Sequence, residues 1–247
     1  MDHETPSLSS TPAGTGAAGR LDIYAPIHKA LRAMMLDTLL AVGRIDVNDC
    51  TEMHAVCERV LELADACTSH LGHENDFVHA AMEARRPGSS ARIAAEHGEH
   101  LAAIAQLREA VSSLCAADPG PAQDLAALHL YRQLALFVGE NLAHMHVEET
   151  QHNQLLWSCY SDDELRALEG AIVASLPPAE NLMYMRWMIP AVTPAERAGL
   201  LGGMQAAAPA PVFAAVLDTV QPHLSPQDWA KLTLALAPAQ APAWIVA

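Results

Sequence analysis

The sequence predicts an all-α protein, in which an up-down-up-down four-helix bundle is followed by a small C-terminal helical extension. Apolar residues recur at alternating spacings of three and four over four long segments, which is typical of helices with one buried face. Apolar residues make up 51% of the 247 residues, aromatic residues only 4%, and Ala and Leu are frequent. This composition favours helices over a sheet-rich fold.

Glycine and proline separate the four segments and set the limits of the predicted helices. Gly43 ends the first helix, and Asp49 with Glu52 predicts a capping box at the start of the second. Because the turns between the helices are short, consecutive helices must pack antiparallel. The four predicted helices cover residues 21–42, 49–85, 91–117 and 122–160.

Two further regions lie outside the predicted bundle, which spans residues 21–160. Residues 1–20 are rich in Ser, Thr, Gly and Pro and predict a disordered tail. Residues 161–247 predict several short helices, with capping boxes that begin at Ser161 and Thr193. We expect this extension to cover one end of the bundle or to form the contact of a homodimer.

The charge balance excludes some classes of partner. Asp and Glu number 29 against 14 Lys and Arg, so the net charge of −15 disfavours nucleic acid and anionic membrane surfaces. The sequence lacks a signal peptide and any segment of about 20 apolar residues, so we expect no membrane association. The 5 cysteines form no Cys-x-x-Cys motif and favour reduced thiols in a cytoplasmic protein.

Histidine occurs within all four apolar stripes, and two stripes add a glutamate four residues later. These positions are His28, His70 with Glu74, His97 with His100, and His144 with Glu148. A single His–Glu pair is common on a protein surface. Imidazoles and carboxylates buried in four helices, however, cost free energy unless a metal ion neutralises them. The pattern therefore predicts a metal site in the bundle core.

Four imidazoles and two carboxylates form the predicted ligand set, which consists of His28, His70, Glu74, His97, His144 and Glu148. This set suits two transition-metal ions, with iron as the first choice and zinc or manganese as competitors. If both glutamates bridge the ions, each ion has two histidines and two carboxylate oxygens. One further oxo bridge leaves each ion five-coordinate, so we expect binding of dioxygen, nitric oxide or peroxide.

Four short motifs carry a resemblance to a known family. IHKALR around His28, HLGHENDFVHAAME around His70, EHGEHLAAI around His97 and HMHVEE around His144 resemble the hemerythrin-like, or HHE cation-binding, family. The resemblance covers about residues 21–160 and implies a four-helix bundle with a non-heme di-iron centre. By motif match it implies the same six ligands.

Two positions depart from the pattern of the oxygen-carrying members. The second helix C histidine of those proteins is replaced by Leu101, so His100 is an alternative or additional ligand beside His97. Their aspartate, five residues after the last ligand histidine, is replaced by Glu149. The resulting two-glutamate pattern is more similar to bacterial repair-of-iron-centres proteins and to eukaryotic iron-sensing hemerythrin domains.

The sequence leaves three kinds of function open. The first is a non-heme di-iron protein that binds or senses dioxygen, nitric oxide or peroxide. The second is a peroxide-handling di-iron enzyme or an iron-centre repair factor. The third is an iron store or regulator that acts on a partner through the C-terminal extension. Catalytic consumption of added peroxide or nitric oxide would distinguish the second from the others.

Overall fold

The computed structural model describes residues 19–237, and within this range every regular element is helical. The predicted all-α fold is therefore confirmed for the described part of the chain. No helix in this range is both long enough and apolar enough to cross a membrane. Most of the predicted N-terminal tail, residues 1–18, lies outside the described residues.

Four long helical segments precede a C-terminal group of shorter helices. The first four segments are α1 (Ala25–Gly43); α2 (Cys50–His73), a π-helical turn (Glu74–His79) and α3 (Ala80–Arg85); α4 (Ala91–Ala116); and α5 (Pro121–Val147), a second π-helical turn (Glu148–His152) and α6 (Asn153–Cys159). The C-terminal group comprises α7 (Asp162–Ser175), α8 (Pro178–Ala191), α9 (Pro194–Ala207), α10 (Ala210–Val220), a 3₁₀ turn (Gln221–His223) and α11 (Pro226–Leu236).

The first helix begins later than predicted, at Ala25 rather than at residue 21. The carboxylate of Asp22 accepts hydrogen bonds from the backbone N–H groups of Tyr24 (3.0 Å) and Ala25 (2.9 Å). These bonds hold the preceding residues in a turn and satisfy two donors at the helix start. Pro26 then occupies the first turn, where its missing N–H has no cost.

The predicted cap of the second helix is confirmed in part. The Asp49 carboxylate accepts from the backbone N–H groups of Thr51 (2.9 Å) and Glu52 (3.1 Å). Glu52 does not return this bond to Asp49 as a capping box requires, because its carboxylate accepts from the N–H of Asp46 instead (3.1 Å). Both capping boxes predicted in the C-terminal extension, at Ser161 and Thr193, are present at the starts of their helices.

The four long segments contact one another in a closed ring. Helix α1 packs against α2 and α5, and α4 packs against the same two helices on the opposite side. The apolar stripes of these helices meet inside the ring and bury residues such as Val60, Leu63, Leu107, Leu130 and Leu134. Each buried aliphatic side chain stabilises the fold by about 1.5–3 kcal/mol through its removal from water.

A smaller apolar cluster covers the end of the ring that holds the chain start and the turn after α3. It consists of Tyr24, Val78, Met82, Leu156 and Leu165. The periodicity of the second segment predicts Phe77 and Ala81 as its last buried residues, but this prediction is wrong, because Val78 and Met82 are buried instead. Because the π-helical turn is wider than an α-helical turn, the buried face moves by one residue after Glu74.

The C-terminal helices pack along one side of the ring. Helix α8 lies against α1, and α7 contacts the π-helical turn Glu74–His79. The Tyr184 hydroxyl donates a hydrogen bond to the Ala66 carbonyl oxygen (2.9 Å), which joins α8 to α2. Lys29 forms an ion pair with Glu196 (2.6 Å), which joins α1 to α9. These contacts hold the extension against the helices that carry the predicted ligands.

Candidate metal centre

All six predicted ligands lie at one end of the ring, between the main apolar core and the smaller cluster. His28 is in the first turn of α1, His70 in the last turn of α2, His97 in the second turn of α4 and His144 in the last turn of α5; Glu74 and Glu148 begin the two π-helical turns. The side chain of His70 is 11% exposed, and the other five are at most 4% exposed. The structure therefore brings all six groups together in a buried site.

The carboxylate of Glu74 lies between imidazoles from three different helices. Its Oε1 is 3.6 Å from Nε2 of His28 and 3.2 Å from Nε2 of His70. Its Oε2 is 3.4 Å from Nε2 of His97. One oxygen of the Glu74 carboxylate thus faces the pair His28 and His70, and the other oxygen faces His97.

Glu148 repeats this arrangement from the opposite side. Its Oε2 is 3.6 Å from Nε2 of His28, and its Oε1 is 3.6 Å from Nε2 of His97 and 3.3 Å from Nε2 of His144. The Nε2 atoms of His97 and His144 are 3.1 Å apart. Two lone pairs at this distance would repel, so a proton or a cation between these atoms stabilises the pair.

The outer nitrogens of three histidines are held by hydrogen-bond acceptors. The pairs are His28 Nδ1 with Glu149 (3.2 Å), His97 Nδ1 with the side-chain oxygen of Asn75 (2.8 Å), and His144 Nδ1 with Glu96 (3.0 Å). An imidazole whose Nδ1–H donates to an acceptor presents the lone pair of Nε2 on the other side of the ring. This arrangement directs three Nε2 atoms toward the two carboxylates.

Both central carboxylates are kept ionised although they are buried. Burial by itself would raise the pKa of Glu74, but the charge of His70 and the contact with His28 hold it well below its usual value. Burial and the charge of Glu74 would likewise raise the pKa of Glu148, yet the contact with His144 leaves it lowered. Two negative charges therefore lie close together in a site that excludes water.

The polar atoms of this site fit a cation. Within residues 19–237, both carboxylate oxygens of Glu74, both of Glu148 and Nε2 of His28 are buried without a well-aligned hydrogen bond. Buried polar atoms without partners are costly, and a metal ion satisfies carboxylate oxygens and imidazole nitrogens together. Ligand atoms of Glu74, His97, His144 and Glu148 lie within 4.8 Å of one another, as do those of His28, His70 and Glu74.

A comparison with protein families decides the affiliation of the chain. Residues 21–155 match the family model of the hemerythrin HHE cation-binding domain. The chain belongs to this family. No curated protein and no solved structure gives a significant match. The resemblance deduced from the four histidine motifs is thus confirmed. The description of this family assigns cation binding to the matched domain.

Within the HHE domain, the two alternative ligands occupy different places. His100 is buried and packs edge-on against His144, with ring centroids 4.6 Å apart, and burial lowers its pKa to about 4. It lies outside the groups of residues that converge on the two carboxylates. Glu149 contacts the outer nitrogen of His28 and forms a two-point ion pair with Arg32. This position suits a group that orients His28.

Two further histidines of the HHE domain, which the sequence pattern did not single out, lie close to the site. His79 and His152 are buried, and each has a ring nitrogen within 4.8 Å of a Glu148 oxygen. His152 follows Glu148 by four residues, so the helical spacing was a sufficient signal for it. His79 follows Glu74 by five residues, a spacing that shares a face only because the intervening turn is π-helical.

Proposed function

We propose that the HHE domain is an up-down-up-down four-helix bundle that binds two iron ions and a small ligand such as dioxygen, nitric oxide or peroxide. One observation carries the proposal. Glu74 and Glu148 each direct one oxygen toward the His28 side of the site and the other toward His97. Carboxylates in this position suit two bridged cations better than a single one.

The donor set supports iron as the first choice of metal. His28 and His70 with one oxygen of each glutamate would hold one ion, and His97 with His144 and the remaining oxygens would hold the other. Imidazole and carboxylate ligands without a thiolate suit iron, and zinc or manganese would be competitors. When bound, the iron ions would supply reversible redox chemistry and coordination positions for the small ligand.

The chain itself contributes orientation and exclusion of water. The acceptors Asn75 and Glu96 fix the rings of His97 and His144, so that few ligand motions remain to be frozen on binding. The apolar residues above and below the site keep water away from the carboxylates. A small ligand bound there would be shielded from solvent, which supports a binding or sensing role.

The C-terminal helices support a further proposal about assembly. Val212 in α10 and Leu234 in α11 are 51% and 79% exposed, respectively. We expect these helices to contribute to a homodimer contact, which would cover these two side chains. Analytical ultracentrifugation of the full chain and of a Leu234→Glu variant tests this: the variant should be monomeric at concentrations where the parent chain dimerises. A single species of monomer mass for the parent chain would refute it.

Metal analysis of matched variants tests the proposed centre. We expect about two iron ions per chain in protein purified with iron, together with an optical spectrum typical of an oxo-bridged pair. Glu74→Ala should remove both ions because Glu74 faces both histidine groups, whereas His144→Ala should remove at least one. His146→Ala and Glu58→Ala are suitable controls, since both side chains are exposed on the same helices. Full metal content in both ligand variants would refute the assignment.

A further inference from the structure

A cavity of about 150 Å³ lies between the HHE domain and the C-terminal extension. Its apolar walls come from the start of α1, from the π-helical turn after α2 and from α7, α8 and α9. They include Tyr24, Ile27, Ile172, Tyr184, Met188 and Leu200. Because α7, α8 and α9 form one side of the cavity, the cavity is formed by the packing of the extension against the bundle.

The same cavity reaches the candidate metal centre. His70 and Glu74 form part of its wall, and both belong to the predicted ligand set. His70 has the most exposed side chain of the four candidate histidine ligands, and its exposed part borders the cavity. A molecule in the cavity would therefore contact His70 and Glu74, which are proposed ligands of one ion. It would reach them without passing through the core of the bundle.

We propose that this cavity binds a small apolar organic molecule, about the size of a single aromatic ring, beside the metal centre. Size and polarity define this class of ligand. A space of about 150 Å³ between apolar side chains is large enough for benzene. The polar groups in the wall are few, namely His70, His73, Glu74, Glu169 and Asn181, and sites for small molecules commonly combine apolar walls with a few polar groups.

The inference extends the proposed function, since it assigns an organic ligand to the same centre. The sequence predicts only diatomic ligands or peroxide, because the interior of a four-helix bundle has little free space. The cavity lies outside that interior, at the contact with the extension. An organic molecule bound there would lie beside the proposed ions, so the cavity adds an organic class of ligand to the small ligands of the proposed function.

Fluorine NMR with fluorobenzene tests the binding site on the full chain. We expect saturable binding by both metal-free and zinc-loaded protein, with displacement by benzene. Ile172→Trp fills the cavity and should weaken binding by at least about tenfold. Ala171→Trp, its exposed neighbour outside the cavity wall, should leave binding unchanged. Leu200→Phe provides a second filled variant, and thermal unfolding shows which variants retain the fold.

Cobalt-loaded protein tests the position of the cavity beside the centre. A paramagnetic ion at the His70 side should broaden the resonance of bound fluorobenzene, and zinc should not. Absence of saturable binding, or equal binding by the folded Ile172→Trp and Ala171→Trp variants, would refute the site. Binding without broadening by cobalt would refute its link to the centre. Metal analysis measures the metal content independently of fluorobenzene binding. A wrong assignment of the cavity can therefore be distinguished from a wrong assignment of the metal centre.

Discussion

We expect Glu149 to strengthen metal binding by orienting His28 rather than by ligating a metal ion. Glu149 accepts a hydrogen bond from Nδ1 of His28 at 3.2 Å and is fixed by the guanidinium of Arg32. Burial would raise the pKa of Glu149, but the contacts with His28 and Arg32 lower it to about 2, so it is ionised at neutral pH. Glu149→Ala removes this charge and frees the His28 ring.

The size of the effect follows from the role of such outer acceptors. Loss of a carboxylate that orients a ligand histidine typically lowers metal affinity by about 10–100-fold, which corresponds to about 1.4–2.7 kcal/mol. Among the six candidate ligands, the Glu149 side chain has a hydrogen bond only with His28, so only one of the two proposed positions should weaken. Glu149→Gln should have a smaller effect, because its amide oxygen can still accept the hydrogen bond without the charge.

A competition titration against a chromophoric chelator measures this difference in affinity. Glu140→Ala is the matched control, since Glu140 is an exposed glutamate on α5. The Glu149 variant should still bind two ions at saturating metal, with one of them bound more weakly. Loss of an ion at saturating metal would mean that Glu149 is itself a ligand. An affinity equal to that of the Glu140 variant would refute any role.

Three further outcomes follow from the structure. At free iron near a hundred times the dissociation constant, binding should stabilise the metal-free protein by about 2.7 kcal/mol and raise its Tm by about 5–11 °C, as measured by calorimetry. The ion pair with Lys29 lowers the pKa of Glu196 to about 2, so its stabilisation is complete above pH 4.5 and lost as pH falls through 2. Glu196→Gln should therefore cost about 0.2–1 kcal/mol in urea unfolding at pH 7, and this cost should shrink as pH falls from 4.5 through 2. Leu134→Ala, at 0% exposure, should cost about 2–5 kcal/mol, and the exposed Leu136→Ala less than about 0.5 kcal/mol.

The helical fold and the six converging side chains could be anticipated because both depend on helical periodicity. The stripe that contains His28, Leu31 and Met35 is buried as expected, and so is the stripe that contains Phe137 and His144. A spacing of three and four residues places side chains on one face whatever the partner helix is. Motif matching then added the family, since the order of the motifs along the chain is specific.

Features that depend on contacts between distant segments were not accessible in this way. The start of α1 at Ala25 depends on the side chain of Asp22, which competes with the helix for the first backbone donors. The cavity requires α7 and α8 to pack at a particular distance from α1, and no local pattern encodes that distance. The burial of Val78 in place of Phe77 depends on a π-helical turn, which has no simple sequence signal.

The two wide turns also indicate where the chain can lose a residue. Each turn contains one residue more than an α-helix of the same rise would need, and each begins at a central glutamate. Deletion of a single residue between Asn75 and Val78 would place Val78 three and Met82 seven residues after Glu74, and these are spacings that share one face of a regular α-helix. Both side chains would therefore keep their buried side. The same deletion within α2 would instead turn the following helix by about 100°, so we expect the chain to tolerate a shorter turn after Glu74 better than a shorter α2.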